Sequence, residues 1–575
     1  MQTLGGPGEV LFSGHGPEVV ELVVVESCHD RSDYQNVSIF IFYFTEPSVS
    51  ARIMRVSRKE RSMETVMDGL SLSALACSVP ALYLVAGLAS MLLHRPEPAW
   101  QLARAASGAA MLIALAVAVL RGVAGSPPAA LQIAGMAALL LIAFLGWVIL
   151  RFAAPYLAGE SCQQRFMSGV LITLAGAALV SVTDNLAVLA LAWSATGLGL
   201  QRLLTLYPTR PGAMRAAHKH FVSARLADVT ALVSVVLIAR ETGSLSLVTL
   251  STQTADVPMS TGLSMAALLL AITAIIRCGL MPLHGWVLQV MEAPTPVSAL
   301  LHAGVLNLGG LVLLKVFWLI NQSLAAQWLL LIAGGLTTAI AAVAMIAQSN
   351  IKVRLAWSTC AQMGFMLVEC ALGAWHLALL HLIGHSLYKA FAFLNAGDRV
   401  TRARSAQLFP STSGAMSPVL VGLLLAAALL VPVLHGLGRL HGSGAVFALI
   451  GLIALAPLLT GMRPRFGRAA LHTGMTTAMV VGLAVLWHLI FEPLMAPLLE
   501  HEPTTGQIAW LTALFVAMLL FQGWLRSGLR SRRLQQALAE GLYVDEFIDS
   551  LPGLRRPLSG ARQPATPVFQ EQERT

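Results

Sequence analysis

Three residues combine proton chemistry with a regular spacing. His381, His385 and Lys389 recur at i, i+4 and i+8, which places them on one face of one helix. Imidazole titrates near neutral pH and passes protons in both directions, so such a stripe suits a proton relay. Binding of a haem or metal by His381 and His385 is one alternative, although no carboxylate or thiol stands beside them at ligand spacing. A purely structural pair is another. Glu369 is alone in an apolar stretch; it either pairs with one of these cations or serves as a protonated acid in the relay. His302 follows Pro294-Thr295-Pro296 and is expected to face the same interior, with a satisfied interhelical hydrogen bond as the plainer reading.

Arg277 lies just before Met281-Pro282-Leu283-His284. A proline leaves a helical carbonyl without its donor, and in a bilayer such broken backbone survives only when packed in protein or lining a wet cavity. A discontinuous helix beside a buried cation is a common construction for an ion site in transporters. Arg225 and Asp228 are three apart and can neutralise each other, as a structural ion pair or as part of an ion path. Glu292, Asp398 and His284 complete the ionisable set expected inside the membrane, where each charge costs about 2.5–3.5 kcal/mol. Lys315, near a helix end, is expected to snorkel.

The elements that hold these residues follow from composition. The chain has 575 residues, 56% hydrophobic and 11% charged, against roughly 25% charged in soluble proteins. It cannot cover several water-facing surfaces. That excludes a soluble enzyme, a disordered scaffold and a nucleic-acid-binding module, despite a net charge of +9. Six cysteines without a CxxC indicate neither a disulfide framework nor a zinc site. The expected fold class is an all-α polytopic membrane protein. Apolar stretches of bilayer length recur between Gly69 and Leu525, in about fifteen spans; they include 261–290, 297–320, 417–434, 445–461, 473–491 and 507–525.

Loop charge orients these spans. Nineteen lysines and arginines fall on alternate loops and the tail, and only Arg121, Arg240 and Arg439 on the opposite loops. By the positive-inside rule the N-terminus is outside and the C-terminus cytoplasmic. Residues 1–62 are polar, end in a basic cluster from Arg52 to Arg61 that would invert the first span, and do not read as a signal peptide. Met63 or Met67 would make a start compatible with an outside terminus, and little order is expected before residue 62. The organisation is therefore an N-terminal extension (1–62), a transmembrane domain (63–525) and a cytoplasmic tail (526–575).

Met291-Glu292-Ala293-Pro294-Thr295-Pro296-Val297-Ser298-Ala299-Leu300-Leu301-His302-Ala303 resembles the antiporter-like subunits of respiratory complex I and of Mrp-type sodium/proton antiporters. Five further segments carry the same resemblance across roughly residues 69–400: Asp184-Asn185-Leu186 with Trp193, Phe221 to Asp228, Pro282 to Trp286, Ser358 to Gly364, and His381 to Leu394. It implies two inverted five-helix repeats, each with a broken helix, around a polar axis at mid-membrane. It also adds Asp184 to the residues expected along the ion path.

Three departures set the branch. Ser194 stands where the family has Glu, Arg277 where it has Lys, and the last cation or acid, expected near 430–435, is missing, with only His435 nearby. The chain also runs only briefly past Gly541-Leu542-Tyr543-Val544-Asp545-Glu546-Phe547, which resembles a further stretch of the family.

This combination is most similar to the membrane subunits of bacterial DAB complexes for inorganic carbon accumulation. The resemblance implies a non-enzymatic, inner-membrane, ion-conducting subunit for protons or sodium, with no cofactor of its own. It also implies a DabA-like cytoplasmic partner resembling a zinc-dependent β-carbonic anhydrase. The alternatives are a proton-translocating subunit of a respiratory oxidoreductase or of an Mrp-type antiporter, and, from a different class, a membrane anchor that has lost conduction.

Overall fold

The computed structural model describes residues 58–93, 95–123, 130–253, 259–397 and 502–526, residues 536–550 except 539, four strands within 9–56, and isolated positions between 431 and 486. The chain divides into two units, Met1–Ala76 and Cys77–Thr575.

In the first unit, β1 (Glu9–Gly14), β2 (Val20–Val25), β3 (Ile39–Phe42) and β4 (Met54–Val56) form an antiparallel meander in chain order, pairing Leu11 with Val23, Val23 with Ile41 and Phe40 with Arg55. The sequence reading expected little order here. Runs of Val, Ile and Phe favour extended backbone, and two of these strands, Val20–Val25 and Ile39–Phe42, are built from such runs.

Outside that sheet the described chain is helical. The helices are α1 (Arg58–Leu92), α2 (Pro96–Val123), α3 (Ala130–Tyr156), α4 (Gln163–Val182), α5 (Leu186–Leu204), α6 (Pro211–Thr242), α7 (Leu247–Gln253) and α8 (Thr261–Arg277). They continue with α9 (Gly285–Gln289), α10 (Thr295–Leu300), α11 (Leu308–Lys315), α12 (Phe317–Gln322), α13 (Leu324–Ala347), α14 (Ile351–Ala371) and α15 (Trp375–Leu394). Near the end come α16 (Thr505–Arg526) and α17 (Val544–Asp549). Among the described residues nine helical stretches are long and apolar enough to cross a membrane, with Thr261–Arg277 and Thr505–Met518 as shorter apolar helices. The spans expected at 417–434, 445–461 and 473–491 lie outside the described residues apart from isolated positions.

Local chemistry sets the helix boundaries. Asn185 caps α5 by accepting from the backbone N–H groups of Ala187 and Val188 at 2.9 and 3.1 Å, as N-cap residues do. Pro211 opens α6, and Gly243 closes it in the left-handed conformation at φ 67°. Packing relies on small residues. Gly334 of α13 and Gly364 of α14 face each other so closely that a Cβ on either would lie 2.5 Å from the other's carbonyl oxygen.

The region expected as one span over 261–290 is broken. The first helix stops at Arg277, the chain turns through Gly279 at φ 65°, and the helix resumes only at Gly285. The following span, Thr295–Lys315, holds a π-turn at Leu301–Val305. Such turns insert an extra residue into the helix and recur at functional sites.

Candidate ion pathway

The polar residues gather into two clusters. In the first, Asp228 of α6 is the shared anion. Arg225 Nη2 lies 2.7 Å from Asp228 Oδ2, Arg277 pairs with Oδ1, and Ser194 donates to Oδ1 at 2.6 Å. The expected Arg225–Asp228 pair is present, but it is part of a four-residue centre. Arg277 is the last residue of α8, where the helix dipole favours a cation, and its guanidinium lies 5.5 Å from the Trp193 ring centre. Position 194 carries no acid, and the carboxylate that holds the cation is one helix away. A small cavity of about 10 Å³, room for about one water, is lined by Trp193, His220, Ser223, Arg277, Trp286 and Val305 among others.

The second cluster joins α14, α15 and the π-turn. Lys389 is fully buried and donates to the Leu355 carbonyl at 2.9 Å and to Ser358 Oγ at 2.8 Å. Among the described residues no carboxylate lies within 4.0 Å of it. Its nitrogen is held by neutral acceptors alone, an expensive arrangement for a structural cation. His381 Nδ1 lies 2.9 Å from Glu369 Oε2, so Glu369 does pair with a member of the stripe. The His381 and His385 rings are 5.9 Å apart. His302 stacks on Phe393 of α15 at 4.4 Å and 9°.

Asn307 fixes the tautomer of His385. Its Nδ2 donates to the Ala303 carbonyl at 2.9 Å and to Ser386 Oγ, so its Oδ1, 3.1 Å from His385 Nδ1, must accept. His385 then carries its proton on Nδ1. The Nε2 atoms of His381 and His385 and Nδ1 of His302 are buried without a hydrogen-bond partner among the described residues. Each is an imidazole nitrogen open to proton exchange.

Several expected members stand elsewhere. Glu292, expected to be buried, is exposed: it lies in the short turn between α9 and α10 against Gly212, and its backbone carbonyl accepts from Arg210 at 3.3 Å. Its neighbouring prolines, which suggested an interior break, instead start α10 one turn later. Asp184 is also exposed; it accepts from Ser246 Oγ at 2.8 Å and the Val248 N–H at 3.0 Å, pinning the start of α7. Lys315 does not snorkel. It is 3% exposed and donates to the Thr183 carbonyl at 2.9 Å. His284 is buried against the Trp357 ring at 5.1 Å, His435 is exposed, and Asp398 lies outside the described residues.

Sequence reasoning passes over two participants and one pairing. His220 was hidden in the basic run His218-Lys219-His220; its Nδ1 lies 2.9 Å from Gln201 Oε1 and its ring meets Trp286 edge-on at 4.8 Å. Asn307 looked like an ordinary polar residue in an apolar run. Asp228 was paired with Arg225 but not with Arg277, because nothing local links positions 49 apart.

Comparison with known proteins places the fold and the family. Residues 183–439 match the family described as NADH:quinone oxidoreductase/Mrp antiporter, TM. The chain is 37% identical over 426 residues to the probable inorganic carbon transporter subunit DabB of Hydrogenovibrio crunogenus, covering 72% of this chain and 80% of that protein. It is 36% identical over 451 residues to the probable inorganic carbon transporter subunit DabB2 of Halothiobacillus neapolitanus, covering 74% and 82%. A chain of the Mrp complex from Dietzia sp. DQ12-45-1b shares the fold, with a TM-score of 0.52 at 20% identity over 85% of this chain and 57% of that one. With both DabB relatives matched over most of their length, the chain belongs to the DabB family, within the wider group of complex I and Mrp antiporter-like membrane subunits.

Proposed function

We propose that this chain is the ion-conducting membrane subunit of an energy-coupled inorganic carbon uptake complex, carrying protons or sodium down the motive force to drive a cytoplasmic carbonic-anhydrase-like partner. The observation that carries the reading is the buried row Glu369, His381, His385 and Lys389, with His302 beside it. Titratable groups in the membrane interior are costly and mark ion paths. The names of the DabB relatives direct that conduction toward inorganic carbon.

In this reading the proton passes between Glu369 and His381, on to His385 through its free Nε2, and then to Lys389 and His302. Asn307 holds His385 in the tautomer that can accept at Nε2. Arg277 retains its proton at physiological pH, so it acts as a fixed cation whose pairing with Asp228 responds to charge on the row. Zinc chemistry belongs to the DabA-like partner. The loop charges support a cytoplasmic C-terminus in the bacterial inner membrane, on the side where that partner works.

The test uses a carbon-uptake-deficient bacterium grown at air levels of CO2 and complemented with the whole complex. Lys389→Ala should abolish growth while the complex still co-purifies; growth equal to wild type would remove Lys389 from the path. An Mrp-like reading is favoured instead if the chain alone exchanges sodium for protons in proteoliposomes and co-purifies with no zinc-containing partner.

A further inference from the structure

The tail segment that the ion path leaves unused folds back onto the transmembrane unit. Asp545 Oδ2 accepts from Lys219 Nζ of α6 at 2.8 Å and from Gln289 Nε2 at the end of α9 at 3.0 Å. Its carboxylate lies so close over Gly285 that a Cβ there would overlap it. Just upstream, Gly541 packs against the Trp357 ring, where a Cβ would come within 2.5 Å. Gly541, Leu542 and Tyr543 all take positive φ, at 60°, 60° and 58°. Two of these are residues for which the left-handed region is unfavourable, so the contacts of the segment must hold that turn in place.

The residues it grips have chain neighbours that line the cavity beside Arg277. Lys219 is followed by His220, and Gly285 by Trp286. His220 and Trp286 meet edge-on at 4.8 Å and line the cavity beside Arg277. Trp286 Nε1 and Arg277 Nε are buried there without a hydrogen-bond partner among the described residues. The arrangement has two layers. An outer clamp joins α6, α9 and the tail through Asp545, and an inner lid of His220 and Trp286 covers the cavity that opens onto the Arg277–Asp228 centre.

We propose that Asp545 is the bolt of a cytoplasmic gate: while it joins Lys219 to Gln289 the His220–Trp286 lid stays shut, and its release admits water and ions to the Arg277–Asp228 centre. The proposal rests on the reading of the polar axis as an ion path, and its test is independent of flux. Ser223 lines the same cavity and is 5% exposed. Ser223→Cys would be introduced into the full chain in its complex, in inside-out membrane vesicles, and treated with a charged, membrane-impermeant thiol reagent. Modification of each cysteine-bearing peptide is read by mass spectrometry, so the native cysteines remain in place.

With Asp545 intact, Cys at 223 should react slowly. Asp545→Ala should raise its rate at least tenfold. Asp545→Asn, which keeps shape and a hydrogen bond to Gln289 but loses the ion pair with Lys219, should raise it by a smaller factor and serves as the test if the alanine variant does not assemble. Cys360, fully buried in α14, should stay unreactive throughout. Rates within twofold of the parent in both variants would overturn the gate, as would a parallel rise at Cys360, which would mark general loosening. Should Lys389→Ala leave growth intact, the function proposed above fails while the labelling result still decides the gate.

Discussion

Ser194 donates its hydroxyl proton to Asp228 Oδ1 across 2.6 Å, and the same oxygen holds Arg277. The carboxylate that neutralises Arg277 comes from α6, and the α5 hydroxyl hydrogen-bonds to it. This predicts an asymmetry between the two positions. Ser194→Ala removes one hydrogen bond and should lower stability by about 1 kcal/mol. Asp228→Ser leaves two arginines without their anion. Breaking a buried pair costs about 3–5 kcal/mol, and the 38% exposure of the Arg225 side chain puts the expected loss toward the lower end. The double variant Ser194→Glu/Asp228→Ser moves the charge to α5 and should recover at least half of that loss; with Ser194→Glu alone it completes a double-mutant cycle read from thermal unfolding in detergent. Strict additivity would mean that Ser194 and Asp228 do not share one electrostatic role.

What could be read from the sequence divides along the range of the interactions. The stripe of His381, His385 and Lys389 needed only the helix repeat, and the break after Arg277 needed only a proline and a charge. Both are local. The partners of those residues are not: Asp228 meets Arg277 from 49 positions away, and Asp545 meets Lys219 from 326. Glu292 misled for a related reason. Flanking prolines signal a break but do not say on which side of the membrane boundary the break falls, and the turn puts Glu292 at the surface. Lys315 misled because a long aliphatic stem usually lets its amine reach water, whereas here the end of α4 offers a carbonyl first. The π-turn that aims Asn307 at His385 left no composition or periodicity signal at all.

The Asn307 arrangement makes a spectroscopic prediction. If its Oδ1 accepts from His385, imidazole nitrogen shifts of the wild-type protein should report His385 protonated on Nδ1. Asn307→Ala should mix the tautomers, slow ion flux in proteoliposomes, and cost about 1–3 kcal/mol for the polar groups left buried and unpaired. A wild-type His385 protonated on Nε2 would reverse the amide assignment and remove Asn307 from the relay.

The last prediction concerns the helix pair that carries half of the second cluster. Glu369 and Ser358 lie on α14, and α14 is fixed against α13 where Gly334 and Gly364 meet backbone to backbone. A Cβ on Gly364 would lie 2.5 Å from the Gly334 carbonyl oxygen, 2.7 Å from Thr338 Oγ1 and 3.0 Å from the Thr338 backbone nitrogen. Two of those three atoms are backbone and cannot rotate aside, so Gly364→Ala must push the helices apart rather than repack a side chain. Overpacking of this kind costs about 1–3 kcal/mol. Because the displaced helix also holds Ser358 against Lys389 and Glu369 against His381, ion flux should fall along with the unfolding temperature, although the substituted residue touches none of those four side chains. Gly384→Ala provides the matching control: it lies on α15 in the middle of the histidine stripe, but a Cβ there would meet nothing within 4 Å, so stability and flux should both stay near wild type. Equal tolerance of Ala at positions 364 and 384 would show that the α13–α14 contact does not set the geometry of the row.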